Sequence, residues 1–140
     1  MSAGGADGRG TDERFEHGLA IRKEVVGEAH VERSMAQVSE FSRPVQEWVT
    51  RACWGDVWGR PGLDRRTRSL LNLGMLTALG RSHELAVHVR GAVTNGATTD
   101  EIQEALLQAT VYCGAPAGLE AFRVAERVLD EIAAEDGGRS

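Results

Sequence analysis

The sequence predicts an all-α protein, a bundle of about six helices in one domain. Apolar residues recur at the three- and four-residue spacing of helices almost throughout the chain, and alternating β-branched runs bounded by hairpin turns are absent. The length of 140 residues suits a single core, which at this size buries roughly two thirds of the unfolded surface. We expect the helical domain to span residues 12–134, with short disordered tails at 1–11 and 135–140.

The first half of the chain carries start and stop signals for two helices. The Thr-Asp pair at 11–12 can cap a first helix that ends at Gly27, and a connector through His30 is expected to follow. Pro44 suits the first turn of the next helix, because its fixed φ is helical and its missing N–H is not needed there. We expect that helix to end near Gly55.

The third predicted helix is the most apolar part of the sequence. Asp64 can cap it, Gly80 ends it, and residues 70–79 are apolar on nearly every side. A helix without a polar stripe is usually surrounded by other helices. We therefore expect this segment to be the central helix of the bundle.

Three further helices complete the bundle. Ser82 is expected to cap the fourth, and Thr98 followed by Glu101 forms a capping box for the fifth. Gly114 ends the fifth helix and Pro116 opens the last one.

Composition excludes several classes of function. With 41% hydrophobic and 26% charged residues, and no apolar run near the ~20 residues of a membrane span, we expect a soluble, cytoplasmic protein. Residues 1–10 have no apolar core, so we expect no signal peptide. The net charge of −5 argues against a nucleic-acid partner, because such proteins usually carry a broad basic face.

Positive charge and tryptophan are concentrated between residues 51 and 68. This stretch holds five arginines against two aspartates, and two of the three tryptophans, Trp54 and Trp58. Local positive charge on an acidic chain indicates a small anionic ligand, and arginine forks can bind carboxylates through two hydrogen bonds. The tryptophans can wall such a pocket or simply plug the end of the bundle. Tyr112, at the edge of its helix, either closes the same cavity or packs.

His88 and Glu84 are the candidates for proton transfer. Four positions apart on one helix, they stack one above the other, so the carboxylate can hold the imidazole in one tautomer. The alternative is an ordinary solvated pair at a helix edge. No H-E-x-x-H or C-x-x-C spacing connects the four histidines and two cysteines, so no metal site is predicted.

Six short stretches together form a recognisable pattern. They are residues 27–31, 54–64, 68–71, 88–92, 95–96 and 112–116. The chain resembles the carboxymuconolactone decarboxylase family of the alkylhydroperoxidase-like superfamily over about residues 13–132. The run W-G-D-V-W-G-R-P-G-L-D at 54–64 is a specific match to the family, whereas Asn-Gly at 95–96 occurs in many helical proteins.

The resemblance implies an all-helical, cofactor-free carboxy-lyase that assembles as a homo-oligomer, a trimer or hexamer. Its implied reaction is the decarboxylation of 4-carboxymuconolactone to 3-oxoadipate enol-lactone in protocatechuate catabolism by the β-ketoadipate pathway. The substrate is a small dianion that supplies its own electron sink. We therefore expect no metal, no organic cofactor, and no nucleic-acid or membrane partner.

The implied chemistry assigns roles to the candidate residues. His88, oriented by Glu84, is the expected proton donor or oxyanion stabiliser, because the ordinary histidine pKa of about 6.5 suits proton donation near neutrality. Arg60 and Arg68 are expected to hold the acetate arm of the substrate, and His30 is a second donor candidate. The full set of expected substrate-binding residues is Arg60, Arg68, His30, Trp58 and Tyr112.

One departure from the superfamily excludes peroxidase chemistry. Related alkylhydroperoxidase-like proteins carry a C-x-x-C with a histidine four positions after the second cysteine, and here those places hold Arg81 and Glu84. Dithiol chemistry is impossible at that site without the thiols. Two readings stay open beside the lead one: an enzyme acting on another small lactone or β-keto acid, and a non-catalytic oligomeric binding protein on the same scaffold.

Overall fold

Helices make up nearly all of the chain in a computed structural model that describes the backbone of residues 4–137 and the side chains of residues 13–137. In order, the elements are α1 Gly4–Val26, α2 Glu28–Ala36, α3 Arg43–Trp48, a π-helical segment Val49–Val57, α4 Arg65–Leu79, α5 Ser82–Thr94, α6 Thr99–Cys113 and α7 Ala115–Gly137. The predicted all-α class is confirmed, with seven α-helices in the described range where about six were expected. The chain divides into two compact units, unit 1 up to Leu63 and unit 2 from Asp64 onward.

The predicted tails overlap only partly with the described residues. Residues 1–3 and 138–140 lie outside them, whereas α1 begins at Gly4, upstream of the predicted cap at 11–12, and α7 continues to Gly137. Once a helix is nucleated, each further residue adds a hydrogen bond at modest cost, so a helix can extend past a capping signal. None of the described helices combines the length and the hydropathy that crossing a membrane requires.

In unit 1, Gly27 separates α1 from α2. Its φ of 98° lies in the region that favours glycine, and its N–H bonds the Lys23 carbonyl at 2.9 Å. The expected connector through His30 is wrong, because α2 starts at the next residue and contains His30. Glu28 stands in the first turn of α2, where a carboxylate is favoured by the helix dipole.

Two glycines let α1 and the π-helical segment approach closely in unit 1. A Cβ atom built on Gly18 of α1 would overlap the carbonyl of Thr50, lying 2.8 Å from its carbon, and would be 3.2 Å from the Gly55 nitrogen. A Cβ on Gly55 would in turn lie 3.4 Å from the Gly18 Cα. The backbones therefore pack against each other without side chains between them.

The helix expected to end near Gly55 changes its pitch instead. Pro44 stands in the first turn of α3 as predicted, but after Trp48 the backbone continues as nine residues of π-helix. The bond from the Trp58 N–H to the Cys53 carbonyl, 3.0 Å long, shows the five-residue spacing. π-Helical turns are rare and often occur at functional sites.

The predicted helix boundaries of unit 2 are largely confirmed. The Asp64 carboxylate accepts from the Thr67 N–H at 2.7 Å, which caps α4, and Gly80 ends that helix with a φ of 69°. Thr98 and Glu101 form the reciprocal capping box of α6. Ser82 differs from the prediction, because it is the first residue of α5 and its hydroxyl makes no cap.

The core of unit 2 lies between all four of its helices, and α4 is not buried on every side. Leu73 of α4, Leu85 and Val89 of α5, Leu106 of α6 and Val124 of α7 belong to one buried cluster. The other face of α4 exposes three large apolar side chains, Leu71 at 56%, Met75 at 48% and Leu79 at 69%. The expectation of a central helix surrounded by the others is therefore wrong, because within the described residues these three side chains of α4 stay exposed.

Candidate functional site

His88 lies on α5 against a polar residue of the neighbouring helix. Leu85, Val89 and Ala92 fix α5 in the core, and His88, beside Val89, is half-buried at the edge of that stripe. The Asn72 Nδ2 atom of α4 lies 3.4 Å from the His88 Nδ1 atom. If the amide donates, Nδ1 is an acceptor and the neutral imidazole carries its proton on Nε2. This geometry presents a protonated nitrogen on the side of the ring away from Asn72.

The expected pairing of Glu84 with His88 is not found. Among the residues that the structure describes, no hydrogen bond or ion pair joins the two side chains, and Glu84 is exposed. An ion pair with the exposed Glu84 would gain little free energy in water and would cost side-chain entropy, whereas the Asn72 contact is partly buried. The polar contact that the structure gives His88 is thus with an amide of α4, sixteen positions away in the sequence.

Arg68 lies on the same face of α4 as Asn72. The two residues are four positions apart within α4, so their side chains are neighbours along the helix. Arg68 is half-buried, with its Nε atom enclosed by protein, in the first turn of a helix whose free amides add positive potential. In unit 2, α4 therefore carries both the Arg68 guanidinium and Asn72, the residue that contacts His88.

Tyr112 belongs to a different part of unit 2. Its side chain is 82% exposed near the end of α6 and lines an open groove of about 460 Å³ between α4 and α6. The groove is mainly apolar, with Leu70, Leu71 and Gly74 on the α4 side. The described residues that line it include neither Arg68 nor His88.

The remaining sequence candidates are in unit 1. Trp58 is buried at the end of the π-helical segment and stacks on Trp54, with ring centroids 5.2 Å apart and planes 25° apart. Arg60 is exposed in the loop that follows, and His30 is half-buried in α2 beside the buried Val31. The stacked tryptophans are part of the interior of unit 1, as the packing interpretation of the sequence has it.

A buried arginine of unit 1 was missed by sequence reasoning. Arg22 of α1 is only 9% exposed and donates from Nη1 to Gln46 Oε1 at 3.0 Å and to Thr50 Oγ1 at 3.2 Å. Its Cζ atom is 6.0 Å from the centroid of the Trp54 ring, within the range of a cation–π interaction. Burial lowers the pKa of the Arg22 guanidinium from its usual range.

Sequence did contain a signal for Arg22. Gly18, Arg22 and Val25 follow one another at spacings of four and three, so the arginine falls on the buried stripe of α1. Charged residues are rarely buried, so an arginine on an apolar stripe indicates a residue with a special structural or functional role. Elsewhere in the described residues, no group of three or more histidine, cysteine, aspartate or glutamate side chains is arranged to hold a metal ion.

Comparison with known proteins adds a family and named relatives. Residues 43–127 match the sequence model described as the carboxymuconolactone decarboxylase family. A 4-carboxymuconolactone decarboxylase of Acinetobacter baylyi is 43% identical over 121 residues, which cover 86% of this chain and 90% of the relative. A nitrosuccinic acid decarboxylase of Metarhizium robertsii is 45% identical over 118 residues, covering 84% and 82%. A 4-carboxymuconolactone decarboxylase of Pseudomonas putida is 36% identical over 44 residues, covering 31% of this chain and 92% of that sequence.

Proposed function

Because the chain belongs to the carboxymuconolactone decarboxylase family, we propose that it is a carboxy-lyase that converts 4-carboxymuconolactone to 3-oxoadipate enol-lactone in protocatechuate catabolism. The observation that carries the proposal is the 43% identity to a 4-carboxymuconolactone decarboxylase over 86% of the chain. Identity at this level spans both compact units and includes nearly the whole relative.

The reaction needs little from the protein beyond placement and charge. The bond between the ring carbon and its carboxylate breaks, and carbon dioxide leaves. The electron pair flows through the ring double bond into the lactone carbonyl, which becomes an oxyanion of an aromatic ring. A proton added to the carbon beside that carbonyl gives the enol-lactone. The protein must hold the second carboxylate, stabilise the oxyanion and deliver the proton.

We assign the proton delivery to His88. The Asn72 contact favours the tautomer with its proton on Nε2, so a neutral His88 can already donate from that atom. Asn72 is then a positioning residue, which takes over the part expected of Glu84. Arg68 supplies positive charge for a carboxylate or the oxyanion, because its guanidinium is held on the same face of α4 as Asn72.

Arg60, His30, Trp58 and Tyr112 stay in the proposal as substrate-binding residues. Arg60 offers an exposed guanidinium to a carboxylate, and His30 is the second candidate donor. Trp58 and Tyr112 offer aromatic walls. Each role is inferred from side-chain chemistry. It can be tested by substituting that residue alone and measuring turnover.

A second substrate is favoured by the other named relative. Nitrosuccinic acid and 4-carboxymuconolactone share one unit: a carbon that bears a carboxylate, an electron-accepting neighbour and a CH2–carboxylate arm. In nitrosuccinate the nitro group takes the place of the unsaturated lactone as electron sink. The identity of 45% to a nitrosuccinic acid decarboxylase makes this dicarboxylate the second candidate substrate.

The homo-oligomer and the cytoplasmic location belong to the same proposal. Leu71, Met75 and Leu79 on α4, with Val111 and Tyr112 on α6, are large side chains that stay exposed, and exposed apolar patches often mark protein–protein contacts. We place the subunit contacts of a trimer or hexamer there. A dianionic substrate does not cross an apolar bilayer unaided, so the enzyme and its substrate share the compartment in which the substrate is made.

Carbon dioxide release tests the function directly. The full chain is given freshly prepared 4-carboxymuconolactone or nitrosuccinate, each with and without a chelator, and gas release and product are followed. Release from the lactone that the chelator does not change supports the lead proposal. Release from nitrosuccinate alone transfers the assignment to the second substrate, and release from neither refutes the catalytic proposal in favour of a binding protein.

A further inference from the structure

A second polar contact joins α4 to α5 in unit 2, beside Arg68. The Nδ2 atom of Asn95, at the end of α5, donates to the Ser69 Oγ atom of α4 at 3.0 Å. The Ser69 side chain is fully buried and Asn95 is half-buried, so water competes little for this bond. Removing the amide would take a donor from a buried hydroxyl, and unsatisfied buried polar atoms are costly. The bond therefore ties the two helices together at this point.

Arg68 lies next to two residues of α4 that are held by α5. It precedes Ser69 in the sequence and lies one helical turn before Asn72. Ser69 is bonded to Asn95, as described above. Asn72 contacts His88 of the same partner helix at 3.4 Å. Because residues three and four positions apart are neighbours on a helix surface, Arg68 and Ser69 both adjoin Asn72, and the guanidinium belongs to a patch with two links to α5.

The side chain of Asn95 is not needed to end α5. The backbone does this, because Gly96 takes a φ of 94° and the Ala97 N–H bonds the Ala92 carbonyl at 2.9 Å. These are the features of a common glycine-based helix ending. The Asn95 amide is thus available to bond α4, and its contact with Ser69 is separable from the ending of the helix.

Three of the six stretches that carry the family resemblance meet on this pair of helices, namely 68–71, 88–92 and 95–96. The roles proposed for Arg68 and His88 use the first two stretches. The third has no role in that account beyond ending α5. The bond from its asparagine to α4 is the feature that connects it with the proposed site.

The position of Arg68 matters because the hydrogen bonds of a guanidinium to a carboxylate are short and directional. A misplacement of about 1 Å can cost a reaction about 100-fold in rate. Arg68 lies near the start of α4, and helix ends fray more readily than helix centres. A buried bond from the adjacent residue to another helix limits that movement.

We propose that Asn95 is a positioning residue for Arg68: by holding Ser69 against the end of α5, it fixes the place at which the Arg68 guanidinium meets a substrate carboxylate. What Arg68 binds rests on the proposed function, whereas the positioning itself rests on the bond to Ser69. In this role Asn95 acts on the substrate only through Arg68. Its effect on binding should therefore disappear when Arg68 is absent.

Kinetics of the full chain with the lactone test this dependence. Asn95→Leu, which is similar in size but cannot donate, should raise KM about three- to ten-fold with a smaller change in kcat. Ser69→Ala removes the other partner of the bond and should do the same. In an Arg68→Met background, Asn95→Leu should raise KM no further, because the two substitutions remove one interaction.

Gly96→Ala is the matched control. It places a side chain at a φ of 94° and so strains the same end of α5, while the Asn95 amide is kept. KM should then stay as in the wild type. A rise in KM that Gly96→Ala reproduces, or that Asn95→Leu also causes in the Arg68→Met background, overturns the proposal.

Nuclear magnetic resonance gives a readout that needs no turnover. The Nε atom of Arg68 is buried, so its N–H should exchange slowly with water and give a resonance that is lost in Arg68→Met. Asn95→Leu and Ser69→Ala should each shift this resonance and speed its exchange, whereas Gly96→Ala should not. An unmoved resonance in either folded variant of the Ser69–Asn95 bond overturns the proposal.

This readout also separates the positioning from the catalytic proposal. A resonance that moves, in a protein that releases carbon dioxide from neither substrate, leaves the positioning of Arg68 standing and removes the catalytic proposal. Turnover with an unmoved resonance does the reverse.

Discussion

Replacing Gly18 by alanine should destabilise unit 1, because the new methyl group meets backbone. The Cβ atom would overlap the Thr50 carbonyl and approach the Gly55 nitrogen to 3.2 Å. Extra volume in a packed interior costs about 1–3 kcal/mol, and a carbonyl in the π-helical segment cannot rotate aside as a flexible side chain does. We take the upper end, about 3 kcal/mol. Alanine regains about 1 kcal/mol of helix propensity over glycine, so the net loss is about 2 kcal/mol.

Urea unfolding followed by tryptophan fluorescence measures this loss of stability in unit 1 itself. All three tryptophans, Trp48, Trp54 and Trp58, belong to unit 1. With a denaturant dependence of roughly 2 kcal/mol per molar urea, a loss of 2 kcal/mol lowers the midpoint by about 1 M.

Gly74→Ala is the matched control. Gly74 lies inside α4, and a Cβ built there meets nothing within 4 Å. The same substitution should therefore raise the free energy of unfolding by about 0.5–1 kcal/mol, read by circular dichroism, because only helix propensity changes. If Gly18→Ala unfolds at the same or a higher urea concentration than the wild type, the account of the close backbone contact is wrong.

Four further predictions concern the site, the cap and the assembly. His88→Gln should lower kcat for decarboxylation about 10²–10⁴-fold, the usual contribution of a general acid, whereas His83→Gln on the exposed side of α5 should not; equal turnover would remove His88 as donor. Arg68→Met should raise KM about ten-fold or more with the far-ultraviolet circular dichroism unchanged, and an unchanged KM would exclude a binding role. The bonds to Thr67 lower the pKa of Asp64, so its contribution to stability is complete above the ordinary aspartate pKa of about 3.9 and is lost as pH falls through the lowered value. Between about pH 6 and about pH 3, the wild type should lose more stability in urea titrations than Asp64→Asn, which keeps a cap without a titrating group; parallel losses would contradict this. Val111→Glu, at a side chain 75% exposed on α6, should shift the sedimentation coefficient toward the monomer, and an unaltered oligomer would place the contacts elsewhere.

Local chemistry explains which parts of the fold could be predicted from the sequence. Asp64, Gly80 and the Thr98–Glu101 box act within a single helical turn, so residue type alone specifies them, and the structure confirms each. His30 was misjudged because Gly27 stops α1 without leaving a connector behind it. A glycine stop says where a helix ends and nothing about how soon the next begins.

Features that depend on neighbours in space were beyond a single sequence. The apolar residues of α4 indicated burial, but composition cannot tell a helix enclosed by its own chain from one with an exposed apolar face. The partner of His88 is a similar case. Glu84 was the only polar neighbour that spacing could offer, whereas Asn72 comes from another helix. The family, in contrast, was recognisable because the run at 54–64 is specific in residue type and order.

The π-helical segment Val49–Val57 also affects how relatives are compared residue by residue. Each of its turns encloses one residue more than an α-helical turn, so it holds surplus chain for the distance it spans. A relative with an ordinary helix in this place covers the same distance with fewer residues. A gap opposite positions 49–57 in an alignment therefore indicates a change from π-helix to α-helix, and not the loss of a functional residue.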